Sequence, residues 1–271
     1  MPLITISQSI GSEGLTIARL VADGLGLKLY DDFELQQMAL KIGIDAKDIK
    51  SLDEKAPGLF DRILYNRPEL YLDYMETVIY EVARAGEGVI IGHGSQMLLR
   101  NFDCALHVRV QTATQIRIKN IMDQHGVSRP AAEKLLRKIE DRQRGFFRYA
   151  FHLDWDDPSL YDVIINTGKM GADTAAGLII NAANSEDIRT CSIYALDVME
   201  RLSLEKQIHA ALLKNEINVI TLNVDVPEKG LAHISGFTSS VDDKDRIEKV
   251  IKKVPGITDV KTEVSFISGM I

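Results

Sequence analysis

The sequence predicts an α/β protein: a doubly wound parallel sheet followed by a second, smaller α/β unit. Three observations predict it. Apolar, β-branched runs recur along residues 1–184 with helical patterns between them. Runs such as Gly88-Val89-Ile90-Ile91-Gly92 are apolar on both faces, as buried parallel strands are. After Asn184 that alternation breaks and a shorter pattern begins.

In order, strands are expected at 3–7, 27–30, 88–92, 103–110 and 162–166. Helices are expected at 14–25, 32–42, 69–85, 94–100, 112–124, 129–148 and 172–184. Segment 44–68 is less regular, with Asp45, Asp48, Asp53, Pro57, Gly58 and Pro68, and reads as an insertion with a short helix. Residues 185–203 show no clear alternation and read as a linker, in part helical. In 204–271 the order is helix, strand, strand, helix, strand. Leu204, Ile208, Ala211 and Leu212 form the first helical stripe, and residues 219–226 alternate as a half-buried strand. Pro227-Glu228-Lys229-Gly230 is a turn, and Leu231 to Phe237 returns as a strand. Ser240-Val241-Asp242-Asp243 offers a cap to a helix containing Ile247, Val250 and Ile251. Pro255-Gly256 ends it before a last strand, Val260 to Phe266.

A net charge of −7 and a pI near 5.4 argue against a nucleic-acid backbone as the main partner. The opening residues lack a basic segment followed by a long apolar one, and no apolar run approaches membrane-spanning length. A soluble, cytoplasmic protein without a transmembrane segment is expected. Cys104 and Cys191 have no metal spacing and read as reduced and structural.

The most informative segment is the first strand–turn–helix, Leu3-Ile4-Thr5-Ile6-Ser7, then Gln8 to Gly14, then Leu15-Thr16-Ile17-Ala18-Arg19-Leu20. Backbone N–H groups of a glycine turn at a helix N-terminus favour an anion. Gly11, Ser12, Gly14 and Thr16 are the candidate phosphate-binding residues, and Thr16 stands where a hydroxyl can reach Mg²⁺. The pattern G-x-x-x-x-G-K-[ST] is not met: position 14 is glycine, position 15 is leucine, and Glu13 adds a negative charge. Asp31, at a strand's C-terminal end, points to a binding crevice or caps the following helix. Arg137, Arg144 and Arg148 share a helical face, with Arg142 off it and Phe146, Phe147, Tyr149 and Phe151 interleaved. That face either closes over phosphates or pairs with Glu140 and Asp141 in solvent. Asp154-Trp155-Asp156-Asp157-Pro158 reads as a turn rather than a metal cluster.

Residues 1–184 resemble the cytidylate kinase-like family of P-loop proteins. The match runs through Ile4-Thr5-Ile6-Ser7, Gly11-Ser12-x-Gly14, Ile17-Ala18-Arg19-Leu20, Leu29-Tyr30-Asp31, Leu52-Asp53-Glu54-Lys55, Val89-Ile90-Ile91-Gly92, the long 118–149 segment, and residues 162–169. The resemblance implies a P-loop kinase fold, ATP and Mg²⁺ as cofactors, and a nucleotide ligand. It implies Asp31 near acceptor and metal, and lid arginines at Arg144 and Arg148. Glycine at position 14 is typical of the family. Its usual glycine at 13 is Glu here, and its usual arginine at 15 is Leu. After the third strand the family shows Gly-Arg with an Asp three residues beyond; here the run is Gly92-His93-Gly94-Ser95-Gln96. His93 is a single-point, pH-dependent substitute for an arginine fork, or a surface or capping residue.

Residues 204–271 resemble the BON domain through Gly230, Ile234-Ser235-Gly236 and Val254-Pro255-Gly256-Ile257-Thr258-Asp259-Val260. That resemblance implies a non-catalytic module for a small ligand, a phospholipid surface or a protein. Two functions follow. One is a nucleotide-binding protein with weak or lost phosphotransfer and a regulatory role through the BON-like unit. The other is an active ATP-dependent kinase acting on a nucleoside monophosphate or other small acceptor.

Overall fold

The computed structural model describes residues 2–41, 68–189, 193–215, 217–238 and 243–267. The 44–67 insertion, the Leu52-Asp53-Glu54-Lys55 match, Cys191 and the Ser240-Val241-Asp242 cap lie outside the described residues.

Five parallel strands form the larger sheet in the order β2-β3-β1-β4-β5. They are β1 (Leu3–Gln8), β2 (Leu29–Tyr30), β3 (Gly88–Ile91), β4 (Ala105–Gln111) and β5 (Val163–Asn166). The helices are α1 (Gly14–Leu25), α2 (Asp32–Lys41), α3 (Pro68–Ala83), α4 (Ser95–Leu98), α5 (Thr114–His125), α6 (Arg129–Phe151) and α7 (Ala172–Ala183). Side chains of one strand point alternately to opposite faces. Ile4, Ile6, Val89 and Ile91 therefore pack with α1 and α7, around Val21 and Ile179. Leu3 and Ile90 pack on the other face with Met75, Ile79, Phe146 and Trp155. Burial on both faces explains the continuous apolar runs.

Helix α8 (Glu186–Arg189) leads to α9 (Ile193–Lys214). Residues 193–203, expected as linker, are the first half of one continuous helix. Leu196, Met199 and Leu202 join the large-sheet core, whereas Leu204, Ile208 and Leu212 join a separate core. The apolar stripe changes partner midway, so no single periodic face spans the helix.

That separate core lies under a three-stranded sheet, β6-β7-β8, comprising β6 (Leu222–Glu228), β7 (Leu231–Thr238) and β8 (Asp259–Phe266). β6 and β7 are antiparallel, and β7 and β8 are parallel, joined through α10 (Asp243–Ile251). The first of these strands begins at Leu222 rather than 219 because Asn218 Oδ1 accepts from Ile220 N at 3.0 Å, bending the chain. Gly236 has φ +128°, and a Cβ there would lie 2.1 Å from the Thr221 carbonyl oxygen, so this site demands glycine.

One expectation is corrected. Cys104 is disulfide-bonded, not reduced. Sequence spacing alone carries no signal for pairing between distant segments. Among the described residues no helix is long and apolar enough to cross a membrane.

Candidate active site at the strand ends

A cavity of about 610 Å³ opens at the C-terminal ends of the parallel strands. This is the crevice where open α/β sheets bind ligands. Its walls come from four places: Ser7, Gln8 and Leu15 of the first turn; Asp31, Asp32 and Phe33 after β2; Ile91, Gly92, His93, Gly94 and Gln96 after β3; and α6, with Trp155 beyond it.

The turn from β1 to α1 is held at its back. Asn120 Nδ2 donates to the Gly11 carbonyl at 2.9 Å, and Thr167 Oγ1 to the Ser12 carbonyl at 3.3 Å. Ser12 is buried, with Oγ donating to the Val110 carbonyl at 3.1 Å. Glu13, at φ 64°, takes the left-handed conformation at the helix N-cap without capping it through its side chain. Gly14 is required sterically, since a Cβ there would lie 2.5 Å from Gln8 Oε1. The Gln8 side chain thus lies across the start of α1. Leu15 faces the cavity, while Thr16 is exposed and is not part of the lining.

Asp31 caps α2: its Oδ1 accepts from Phe33 N and Glu34 N, each at 3.1 Å. It also lines the cavity. The neighbouring Asp32 meets His93, Oδ1 to Nε2, at 2.5 Å. That hydrogen bond holds the Asp32 carboxyl below its ordinary pKa, against a smaller opposing effect of desolvation. His93 takes φ 58°, which aims its ring back toward α2.

On the lid helix α6, Lys138 and Arg142 line the cavity. Arg144 and Arg148 do not. Arg144 Nη2 lies 3.2 Å from Asp156 Oδ2, and Arg148 Nη2 4.0 Å from Asp154 Oδ2. The turn at 154–158 therefore holds both arginines. Its Asp157 caps the 3-10 helix Pro158–Leu160 through Ser159 N at 2.9 Å. Asp31 and His93 line the cavity, whereas Gly11, Ser12, Gly14, Thr16, Arg144 and Arg148 are not part of its lining.

Sequence reasoning missed a buried network beside the cavity. Arg109, 3% exposed, lies in the middle of β4. Its Nη1 donates to Ser7 Oγ at 3.1 Å, and its Nη2 to Ser9 Oγ at 3.3 Å and Asp156 Oδ1 at 3.0 Å. The guanidinium stacks on Trp155, 3.6 Å from the ring centroid. Burial pulls its pKa down, opposed by Tyr161 and Asp156. Trp155 Nε1 donates to Ser7 Oγ at 3.0 Å. The signal was a charged residue inside the apolar strand Ala105-Leu106-His107-Val108-Arg109-Val110.

Comparisons with known proteins identify the family and agree with the fold. Residues 3–169 match the family model of the cytidylate kinase-like family, and residues 202–267 match that of the BON domain. A curated cytidylate kinase of Archaeoglobus fulgidus is 26% identical over 187 residues, 69% of this chain and 97% of that one. A cytidylate kinase of Pyrococcus horikoshii is 25% identical over 68% of this chain and 90% of its own length. A solved, uncharacterized protein of Eubacterium ventriosum shares the fold, with a TM-score of 0.52 and 20% identity over 69% of this chain and all of its own. The family model spans well over half of the residues, and the chain belongs to the cytidylate kinase-like family, with a BON domain following the kinase-like fold.

Proposed function

We propose that the chain is a nucleotide-binding protein whose phosphotransfer is weak or lost, and whose ligand state is passed to the BON domain. The observation that carries this reading is the wall of the cavity. Leu15 stands in it, beside a turn with Glu13 in place of a glycine and Gln8 lying across Gly14. Backbone N–H groups around Gly11 to Thr16 suit a nucleotide's phosphates. Phosphoryl transfer needs charge neutralisation at the transferring group. Arg144 and Arg148, the proposed lid cations, are engaged with Asp156 and Asp154 instead.

Mg²⁺ is held in such sites by one or two carboxylates together with substrate phosphates. Asp31 fits that role, and Asp32 does so only by giving up His93. No group of three or more His, Cys, Asp or Glu among the described residues could hold a metal by itself. Magnesium would thus arrive with ATP and neutralise its phosphates, while Asp31 orients the ion and Lys138 and Arg142 bind the acceptor's charge. Thr16, the other proposed magnesium ligand, is exposed beside the lining at the start of α1.

The second reading is an active kinase for a nucleoside monophosphate or other small acceptor. Lys138 and Arg142 in the cavity wall favour it, as do relatives named cytidylate kinase. Calorimetry with ATP and the nucleoside monophosphates, with and without Mg²⁺, paired with steady-state phosphotransfer, tests both. Binding without turnover is expected. Turnover on the order of 1–100 s⁻¹ establishes the kinase, and absence of nucleotide binding rejects both. Cytoplasmic location, and a small ligand, phospholipid or protein as the BON domain's partner, belong to the same proposal.

A further inference from the structure

The small sheet ends in two edges of different kinds. β6, on one side, is blunted: its register with β7 shifts between Asp225 and Glu228, and Pro227 has no N–H to offer. β8, on the other, runs from Asp259 to Phe266 in unbroken parallel register with β7, without proline, glycine or bulge. Among the described residues no strand pairs with its outer side. Asp259 N donates to the Gly230 carbonyl at 3.0 Å, and Ile267 N to the Thr238 carbonyl at 3.0 Å. Backbone groups alternate sides along a strand. Lys261, Glu263 and Ser265 therefore turn theirs to β7 as well, and Val260, Thr262, Val264 and Phe266 turn theirs outward. Val260 N is already held by Asp259 Oδ1 at 2.8 Å. The open part of the edge thus begins at Thr262.

An unpaired edge is a template for another strand, and this one is complementary to itself. We propose that the outer edge of β8 is an interface between two copies of this chain, paired antiparallel about a two-fold axis through Thr262. Thr262 then pairs with Thr262 of the second copy, N–H to carbonyl in both directions, and Val264 N–H meets the second copy's Val260 carbonyl. On the solvent face, Lys261 stands opposite the second copy's Glu263. On the core face, Val260 stands opposite its Val264. Lys261 and Glu263 keep their side chains 63% and 53% exposed and lie 2.6 Å from each other, so the same two residues are at hand to pair across the axis. Beside that axis, Glu248 of α10 accepts from Thr262 Oγ1 at 3.2 Å and has Lys252 Nζ 3.5 Å away, so both signs of charge are present there too. Other axes fail. Through Lys261 or Glu263, like charges face each other. Through Val260, the pairing needs the N–H that Asp259 holds. Through Val264, neither Lys261 nor Glu263 meets an opposite charge. The contact is isologous and closes on itself, joining two small sheets into one. It does not involve the cavity, so its test is independent of nucleotide.

Sedimentation equilibrium of the full chain tests it. An edge-to-edge contact is small and the dimer weak. The mass should rise from 30.2 kDa toward twice that value between about 1 and 200 µM, and rise less in high salt. Glu263→Lys and Lys261→Glu should each stay monomeric, because each sets like charges opposite one another. An equimolar mixture of the two variants should associate again, which also shows that both fold. Hydrogen exchange supplies a readout without substitution: the Thr262 and Val264 amides of wild type should exchange more slowly as its concentration rises. Wild type that stays monomeric over the whole range overturns the proposal. So does a dimer that both charge variants leave intact, or a mixture that fails to associate. Protection of Thr262 that does not depend on concentration overturns it as well, since a segment of the same chain would then cover the edge.

Discussion

His93 Nε2 lies 2.5 Å from Asp32 Oδ1, joining the segment after β3 to the first turn of α2. The hydrogen bond lowers the Asp32 pKa, so the folded state holds this proton less tightly than the unfolded state. The resulting stability is present above the ordinary Asp range and is lost as pH falls through the folded value. Asp32 is 63% exposed at its side chain, so the contribution is about 1 kcal/mol or less. His93→Ala is expected to move the Asp32 carboxyl ¹³C titration midpoint upward. An unmoved midpoint would show that His93 is not the cause.

Glu13 occupies a left-handed conformation that glycine tolerates and other residues resist, at a cost of about 1 kcal/mol. It also sets a carboxylate at the N-terminus of α1, the proposed phosphate site. Glu13→Gly is expected to raise the urea midpoint by the equivalent of about 1 kcal/mol. The same variant should tighten binding of inorganic triphosphate several-fold, read by Trp155 fluorescence. Higher stability with unchanged affinity would separate the two effects and show that Glu13 does not weaken phosphate binding.

The sheet was legible because strands buried on two faces must be apolar throughout, as Val89-Ile90-Ile91 is. The BON domain was legible because backbone geometry demands residues such as Gly236. Two kinds of information were not legible. Periodicity fixes a face but not which of two neighbours in a turn looks inward, and here it is Leu15 that faces the cavity beside Thr16. Residues brought together by long loops share no spacing: Ser7, Arg109, Trp155 and Tyr161 come from three separate segments. Spacing did place Arg144 and Arg148 on one face, but not the Asp154 and Asp156 carboxylates that hold them.

His107 is a core histidine whose Nδ1 lies 2.7 Å from Thr5 Oγ1, and burial lowers its pKa. The unfolded chain therefore binds this proton more readily. Stability from His107 is present above pH about 6.5 and falls as pH drops toward the folded pKa. His107→Gln is expected to flatten the pH dependence of the denaturation midpoint between about pH 5 and 7. A slope identical to wild type would assign the dependence elsewhere.

Asp156 sits between Arg109 Nη2 at 3.0 Å and Arg144 Nη2 at 3.2 Å. Its carboxylate engages Arg144, the proposed lid arginine. The Arg144 pair is half exposed, so its release is worth about 1 kcal/mol at most, or about five-fold in affinity. Asp156→Asn should tighten inorganic triphosphate binding by up to that factor, and adding Arg144→Ala should cancel the gain. A gain that survives the second substitution would trace to net charge alone.

The kinase-like fold and the BON domain meet along α3 and α9, and Glu81 is the polar centre of that contact. Its carboxylate accepts from Ser203 Oγ at 2.7 Å, Gln207 Nε2 at 3.0 Å and Arg84 Nη2 at 2.7 Å. Lys206 pairs with Glu76 one turn away, and Glu200 lies 2.9 Å from Lys229 in the turn between β6 and β7. Helix α3 leads into β3 and so to His93 and Gln96, whereas the second half of α9 packs under the small sheet. The proposed passage of ligand state to the BON domain runs along this contact. Glu81→Ala leaves the buried Ser203 hydroxyl without its acceptor and should cost about 2 kcal/mol, while Glu81→Gln keeps an acceptor and should cost less. Hydrogen exchange reads the consequence. In wild type, nucleotide should slow exchange in α9 and in β7; in Glu81→Ala the effect should stop at α3. Protection that still reaches β7 in the variant would mean that the apolar contacts of Leu196, Met199 and Leu202 carry the coupling without Glu81.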